Sequence, residues 1–389
     1  MRAKAIARKA IAELRQYHGT CLRLDFRSRP YIDTPPDLSA ALSAATEVGS
    51  INSVVLNVSG VTGSKVEVAN ERARTHFSGL ASFIRTLGES SLPSVAILDG
   101  CVAGSALGIG VHASACVATE RTRLTLPGPA FGFVPESFAS YQLMRLPKPG
   151  LGAYLALTGA GLSGAEMKEV GLATHLCESQ AVGRVEQELL QQRTSHVGGT
   201  LRNVELGCVE PCRADYTEAH ALFYSDAIAE CFGNVSSVGE IIQRLRRGDG
   251  LWHQEALAVL QSSSPLALCL TFEALALAAP ANQGDLADAT DLCWRRCLEV
   301  EAALCERVLT ESNDAKGGLA ALVSAKAGLW DANCQLLDRG VAKMHPDGLG
   351  RRDGSDVARE FEEDVVWEHA SVDEVDREVL RQYLAVPSP

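Results

Sequence analysis

Twelve cysteines make metal or disulfide chemistry the first possibility to test. No Cys-x-x-Cys pair occurs. Cys208/Cys212 and Cys293/Cys297 each sit four apart, which stacks each pair on one face of a helix. A zinc site needs two further ligands at suitable spacing, and no histidine falls within a finger-like window of either pair. The pattern predicts buried thiols in a reducing compartment and no metal. The run Gly159-Ala160-Gly161-Leu162-Ser163-Gly164 matches G-x-G-x-x-G. A dinucleotide fingerprint requires a strand before it, and the preceding GAYLALT reads as helix, so no dinucleotide cofactor is expected. There is no Walker A loop and no G-x-S-x-G elbow, and nothing ties a Ser, a His and an Asp into a triad.

Charge separates the start of the chain from the rest. The total is −12 at neutral pH, yet the first twenty residues carry Arg2, Lys4, Arg8, Lys9 and Arg15 against Glu13 alone. An acidic body argues against a surface that grips nucleic acid everywhere; a basic arm can still neutralise phosphates locally. Ala3, Ala5, Ile6, Ala10, Ile11 and Leu14 give the arm a helix-like apolar stripe. An amphipathic, acid-poor start reads either as a mitochondrial transit segment or as a capping helix. Apolar residues make up 46% of the chain, which excludes disorder. The uncharged stretch 100–118 approaches the roughly 20 residues a membrane span needs. Its Ala, Gly, Ser and Val content, with Asp99 directly before it, predicts instead a small-residue helix in a protein core.

These residues need elements to carry them. Short apolar runs at 22–26, 53–58, 94–98, 115–119 and 123–126 read as strands, and 72–87 and 150–158 as helices. Strands interleaved with helices indicate an α/β layout. From about 179 the pattern turns helical, at 182–192, 217–231, 238–246, 266–278 and 288–310. The acidic stretch 356–376 reads as a solvated helix surface. The expected organisation is a basic segment over 1–20, an α/β core over 21–178 and a helical region over 179–389.

The segment 93–175 contains PSVAILDGCVAGSALGIGVHASACVATE, then GFVP, then LALTGAGLSGAEMKEVGLATH. In order and spacing it resembles the crotonase (enoyl-CoA hydratase/isomerase) superfamily, and within it the 3-hydroxyisobutyryl-CoA hydrolases. Ser264-Pro265, 300–310 and WEHASVDEVDREVLRQYL at 367–384 resemble the hydrolases' C-terminal helices. The resemblance implies a ββα spiral core followed by helices. It implies a substrate CoA thioester, no resident cofactor, and an oxyanion hole of two backbone N–H groups, which fall here at Ser105 and Ala69. Such preorganised donors can each be worth ~10²–10³ in rate.

The same resemblance shows departures. The loop matching the family's Phe-Cys/Ser-Ala-Gly-Gly-Asp reads Val66-Glu67-Val68-Ala69-Asn70-Glu71, without glycines. The hydrolases' Pro-Glu step is Pro127-Gly128, and their Asp eight residues on is Glu136. The family's Glu-Gly-Val-Arg-Ala is Gly317-Gly318-Leu319-Ala320-Ala321. Glu136 is the one remaining candidate acid. Hydrolase-like members of this family occur in the small subunit of mitochondrial ribosomes. The resemblance therefore implies a degenerate scaffold in the mitochondrial matrix. Its expected partners are other protein subunits, and ribosomal RNA through Arg2, Lys4, Arg8, Lys9 and Arg15, with no membrane and no DNA; self-association stays open. The alternative is a working hydrolase of valine breakdown that uses Glu136.

Overall fold

The computed structural model describes residues 21–25, four positions between 39 and 45, and residues 51–58, 71–191, 220–280, 290–317 and 367–384. Two compact units interleave along the chain. The first takes 1–65, 78–124 and 163–215; the second takes 66–77, 125–162 and 216–389.

The first unit is built on a five-stranded parallel sheet in the order β1-β2-β3-β5-β8. Its strands are β1 (Cys21–Asp25), β2 (Ser53–Asn57), β3 (Ser94–Leu98), β5 (Ala115–Thr119) and β8 (His175–Cys177). Every residue of β2, β3 and β5 is buried. A parallel sheet covered on both faces demands such continuous apolar strands. Register sets Val95 against Ala115 and Ile97 against Val117. These residues share one face with Cys21 and Val55, and that face packs on Val182, Val185 and Leu189 of α6 (Val182–Gln191). Glu186 of α6 accepts a bond from Arg23 Nε of β1 at 2.6 Å.

The uncharged stretch at 100–118 is not one helix. It divides into β4 (Cys101–Ala103), α2 (Ser105–His112) and β5. Gly104 breaks it, at φ +55° and ψ −130°, a conformation open essentially to glycine. The segment 115–119 is extended, as its apolar run predicts, and pairs with β3. Among the described residues no single helix is long and apolar enough to cross a membrane. A second sheet has the order β4-β6-β7, with β6 (Arg123–Thr125) and β7 (Leu162–Ser163). The G-x-G-x-x-G run follows the helix Leu151–Thr158, as expected. It then supplies β7 and a capping box, in which Ser163 and Glu166 bond each other's backbone at the start of α5 (Gly164–Glu169).

The second unit is mainly helical. Along the chain it holds α3 (Ser140–Leu143), α4 (Leu151–Thr158), α7 (Ser225–Phe232), α8 (Val238–Arg247), α9 (Leu251–Ser262), α10 (Pro265–Ala278), α11 (Thr290–Glu311) and α12 (Arg377–Leu384). The helix α10 is buried nearly all round and forms the core. Ser264 caps it by accepting from the Ala267 amide, with Pro265 at its first position. Helix α9 escapes sequence reading because its buried stripe is only Trp252, Ala256 and Leu260. In the acidic stretch, 356–366 lie outside the described residues. The part from 367 to 376 consists of bends and one 3-10 turn (Val372–Glu374) rather than the expected helix.

Of the nine cysteines described, all are free thiols and all but Cys269 are buried. The pair Cys293/Cys297 lies buried on α11, and burial pushes the Cys297 thiol up to about 12. Cys208 and Cys212 lie outside the described residues.

Helix α2 lies close against the sheet because its face is small. A Cβ on Gly110 would meet Leu98 Cδ1 at 3.0 Å and Cys116 Sγ at 3.3 Å. Gly110→Val should therefore destabilise by ~1–3 kcal/mol through overpacking. Urea unfolding of the purified variant checks this.

Candidate functional site

The first half of the expected site is the turn into α2. Ser105 is the first helical residue after the left-handed Gly104 and is fully buried. The amides of a helix's first turn lack intrahelical acceptors, and the helix dipole favours negative charge there. Ser105 Oγ is buried with no hydrogen-bond partner among the described residues. The turn is thus in place, with serine at 105. The other half cannot be placed, because Ala69 and Glu67 lie outside the described residues. So do Arg2, Lys4, Arg8, Lys9 and Arg15.

Ser105 belongs to the first compact unit; Gly128 and Glu136 belong to the second. Gly128 opens a 3-10 turn (Gly128–Phe131) and accepts from the Phe133 amide at 3.0 Å. The chain then doubles back on it. A Cβ at position 128 would lie 2.6 Å from both Pro135 N and Val134 C, and 2.8 Å from Val134 O. Those are backbone atoms, so they cannot swing aside as the tip of a side chain would. Position 128 has no side chain, and no space is kept for one.

Glu136 lies in the loop between this turn and α3, half-buried. Its charge reaches α11: with Glu301, and after burial as the main cause, it holds the Cys305 thiol well above the ordinary range.

A polar group that sequence reading missed dominates this loop. Glu301 on α11 is buried and accepts from the Ser140 amide at 2.9 Å, from Ser140 Oγ, and from Ser137 Oγ at 3.4 Å. The Phe138 amide bonds to it as well. Burial raises the carboxyl's pKa, and these four donors oppose the rise. The sequence held a signal for it. Cys297, Glu301 and Cys305 recur every four residues, placing an acid on an otherwise apolar helical face. A cavity of about 20 Å³ is lined by Ser137, Ser140, Thr271 and Glu301 among others. That holds about one water, against roughly 300–1,000 Å³ for a ligand pocket.

Asp314 was missed as well. It is buried, accepts from Ser264 Oγ at 2.5 Å and from the Glu368 amide at 2.6 Å, and so ties the start of α10 to the C-terminal segment. The Ser264 amide donates to Pro129 O at 3.1 Å, inside the Gly128 turn. Gly132 ends that turn at φ +68°, where a Cβ would meet Asp314 O at 2.4 Å.

Comparison with known proteins agrees with this architecture. Residues 57–333 match the family model described as enoyl-CoA hydratase/isomerase. The chain is 39% identical over 202 residues to the 3-hydroxyisobutyryl-CoA hydrolase-like protein 1, mitochondrial, of Arabidopsis thaliana, covering 50% of this chain and 48% of that one. It is 30% identical over 214 residues to the small ribosomal subunit protein mS47 of the same plant, covering 53% and 50%. It is 33% identical over 192 residues to the mitochondrial 3-hydroxyisobutyryl-CoA hydrolase of Xenopus tropicalis, covering 49% of each. The chain thus spans about half the length of the curated relatives it matches. A carnitinyl-CoA dehydratase from Mycobacterium thermoresistibile superposes with a TM-score of 0.67 at 22% identity, covering 95% of this chain and 94% of that one. That likeness speaks for the fold alone. From its α/β core through the helices that follow, the chain belongs to the enoyl-CoA hydratase/isomerase family.

Proposed function

We propose that this chain is a catalytically degenerate, 3-hydroxyisobutyryl-CoA hydrolase-like protein that serves as a structural subunit of a mitochondrial assembly, of the kind built into the small ribosomal subunit. One observation carries the reading. At Gly128, where the hydrolases place a glutamate, there is neither a carboxylate nor room for one. Losing a positioned acid–base group costs ~10²–10⁴-fold in rate. The sequence around it departs in the same direction, at Ala69, at Glu67 and at 317–321. The framework has not departed: the sheet, the small-residue helix and the capped α10 remain. Similarity to mS47 supplies a relative whose name places it in a ribosomal subunit. In this role the basic arm meets RNA phosphates in the matrix while the acidic body faces neighbouring proteins. No cofactor or metal takes part, and neither DNA nor membrane is a partner.

The second reading is a working thioesterase. It is favoured by the 39% identity to a hydrolase-like protein and by the intact turn at Ser105. Here Glu136 would act alone on the thioester, one methylene longer than the family's aspartate.

Purified protein should hydrolyse 3-hydroxyisobutyryl-CoA no faster than buffer, and Glu136→Gln should change nothing. Turnover abolished by Glu136→Gln would establish the thioesterase instead. Gly128→Glu should not produce turnover, and should lower the melting temperature because its Cβ meets backbone.

In mitochondrial extracts the chain should co-sediment with the small ribosomal subunit and leave it as salt rises. Replacing Arg2, Lys4, Arg8, Lys9 and Arg15 with glutamine should weaken that association and flatten its salt dependence. Migration as a free small oligomer at low salt would count against the subunit reading.

A further inference from the structure

Position 128 is closed by backbone, and the backbone that closes it is held from elsewhere. The segment from Val134 to Ser140 contributes no strand and reaches helix only at its last residue, so ladder hydrogen bonds do not set its path. Phe138 within it stands at φ +49°, a left-handed conformation that a bulky side chain adopts only under constraint. Phe138 is also almost completely buried. Something must outweigh that strain, and the groups in place to do so converge on one carboxylate. Ser137 Oγ, the Phe138 amide, the Ser140 amide and Ser140 Oγ all bond to Glu301, more than 160 residues away on α11. A left-handed residue among successive amides forms the concave anion-binding arrangement that suits a carboxylate. The near end of the same segment, Val134 and Pro135, is what a Cβ at position 128 would strike.

We propose that Glu301 is a peg that pins Val134–Ser140 down over Gly128, so that a carboxylate on a distant helix keeps the vacated side-chain position shut. The closure is then a property of tertiary structure, separate from the absence of a glutamate in the sequence. Restoring that glutamate is not enough to reopen the position; the loop must be released as well. This inference reads the coupling between two positions and stands apart from whether the chain turns over a thioester. A failure of either is visible without the other.

A double-mutant cycle tests it. Gly128→Ala alone should raise the unfolding equilibrium constant by roughly 10-fold or more, because its methyl strikes the pinned backbone. In a Glu301→Ala background the same substitution should raise it by less than about 3-fold, because the loop can yield. Gly110→Ala, in the other compact unit, serves as the control and should add independently to Glu301→Ala. If Gly128→Ala carries the same fold-cost in both backgrounds, the peg does not act on position 128 and the proposal is overturned.

Should Glu301→Ala fail to fold, the milder Glu301→Gln provides a second readout. Amide hydrogen exchange should quicken across 133–141 while β3 keeps its protection. Unchanged exchange in that segment would overturn the proposal equally.

Discussion

A carboxylate taken out of water must be surrounded by donors or it costs more than the fold can offset. This constraint organises the second compact unit. Glu301 and Asp314 are both buried, and each gathers amides and hydroxyls from segments far apart in sequence. Glu301 gathers the loop that follows the Gly128 turn. Asp314 gathers the cap of α10 and the residues just before the C-terminal helix, and the α10 cap in turn holds Pro129. The turn that would carry a catalytic acid is therefore fixed from both sides by acids that are not catalytic candidates. Removing either would leave unpaired donors in the interior.

Close packing holds the rest of the fold. Positions that make the family recognisable here are mostly packing positions: the apolar strands, Gly110 against Leu98, the buried α10. Each is held by close packing, where one extra methyl is felt. At position 128 glycine fits beneath Val134 and Pro135, where a Cβ would strike backbone. The turn before α2 is held by packing as well: Gly104 adopts a conformation few residues can, and Ser105 is fully buried behind it.

The thiols illustrate the same economy of environment. Cys297 and Cys305 flank Glu301 along α11, and burial in company with that carboxylate keeps both thiols protonated. A thiolate there would face a desolvation penalty and like charge together. These cysteines are small apolar fillers, in keeping with their scatter through the sequence.

The amino-acid sequence by itself determined the α/β class, the strands at 53–57 and 94–98, the helical second half and the glycine at 128. Each of these is written in local periodicity or in the identity of a single residue. It marked the strand at 115–119 but did not disclose that 100–118 opens with another strand and a turn, because β4 is held by pairing with β6, a contact outside the local pattern. Nor did it disclose where Glu136 stands, which depends on a loop wrapped around Glu301. An acid on an apolar helical face was legible at 301, but its partners were not. Hydrogen bonds that span more than 160 residues leave no local pattern. Only the folded chain decided that the empty position at 128 is also a closed one, because closure depends on backbone brought in from the far end of a loop.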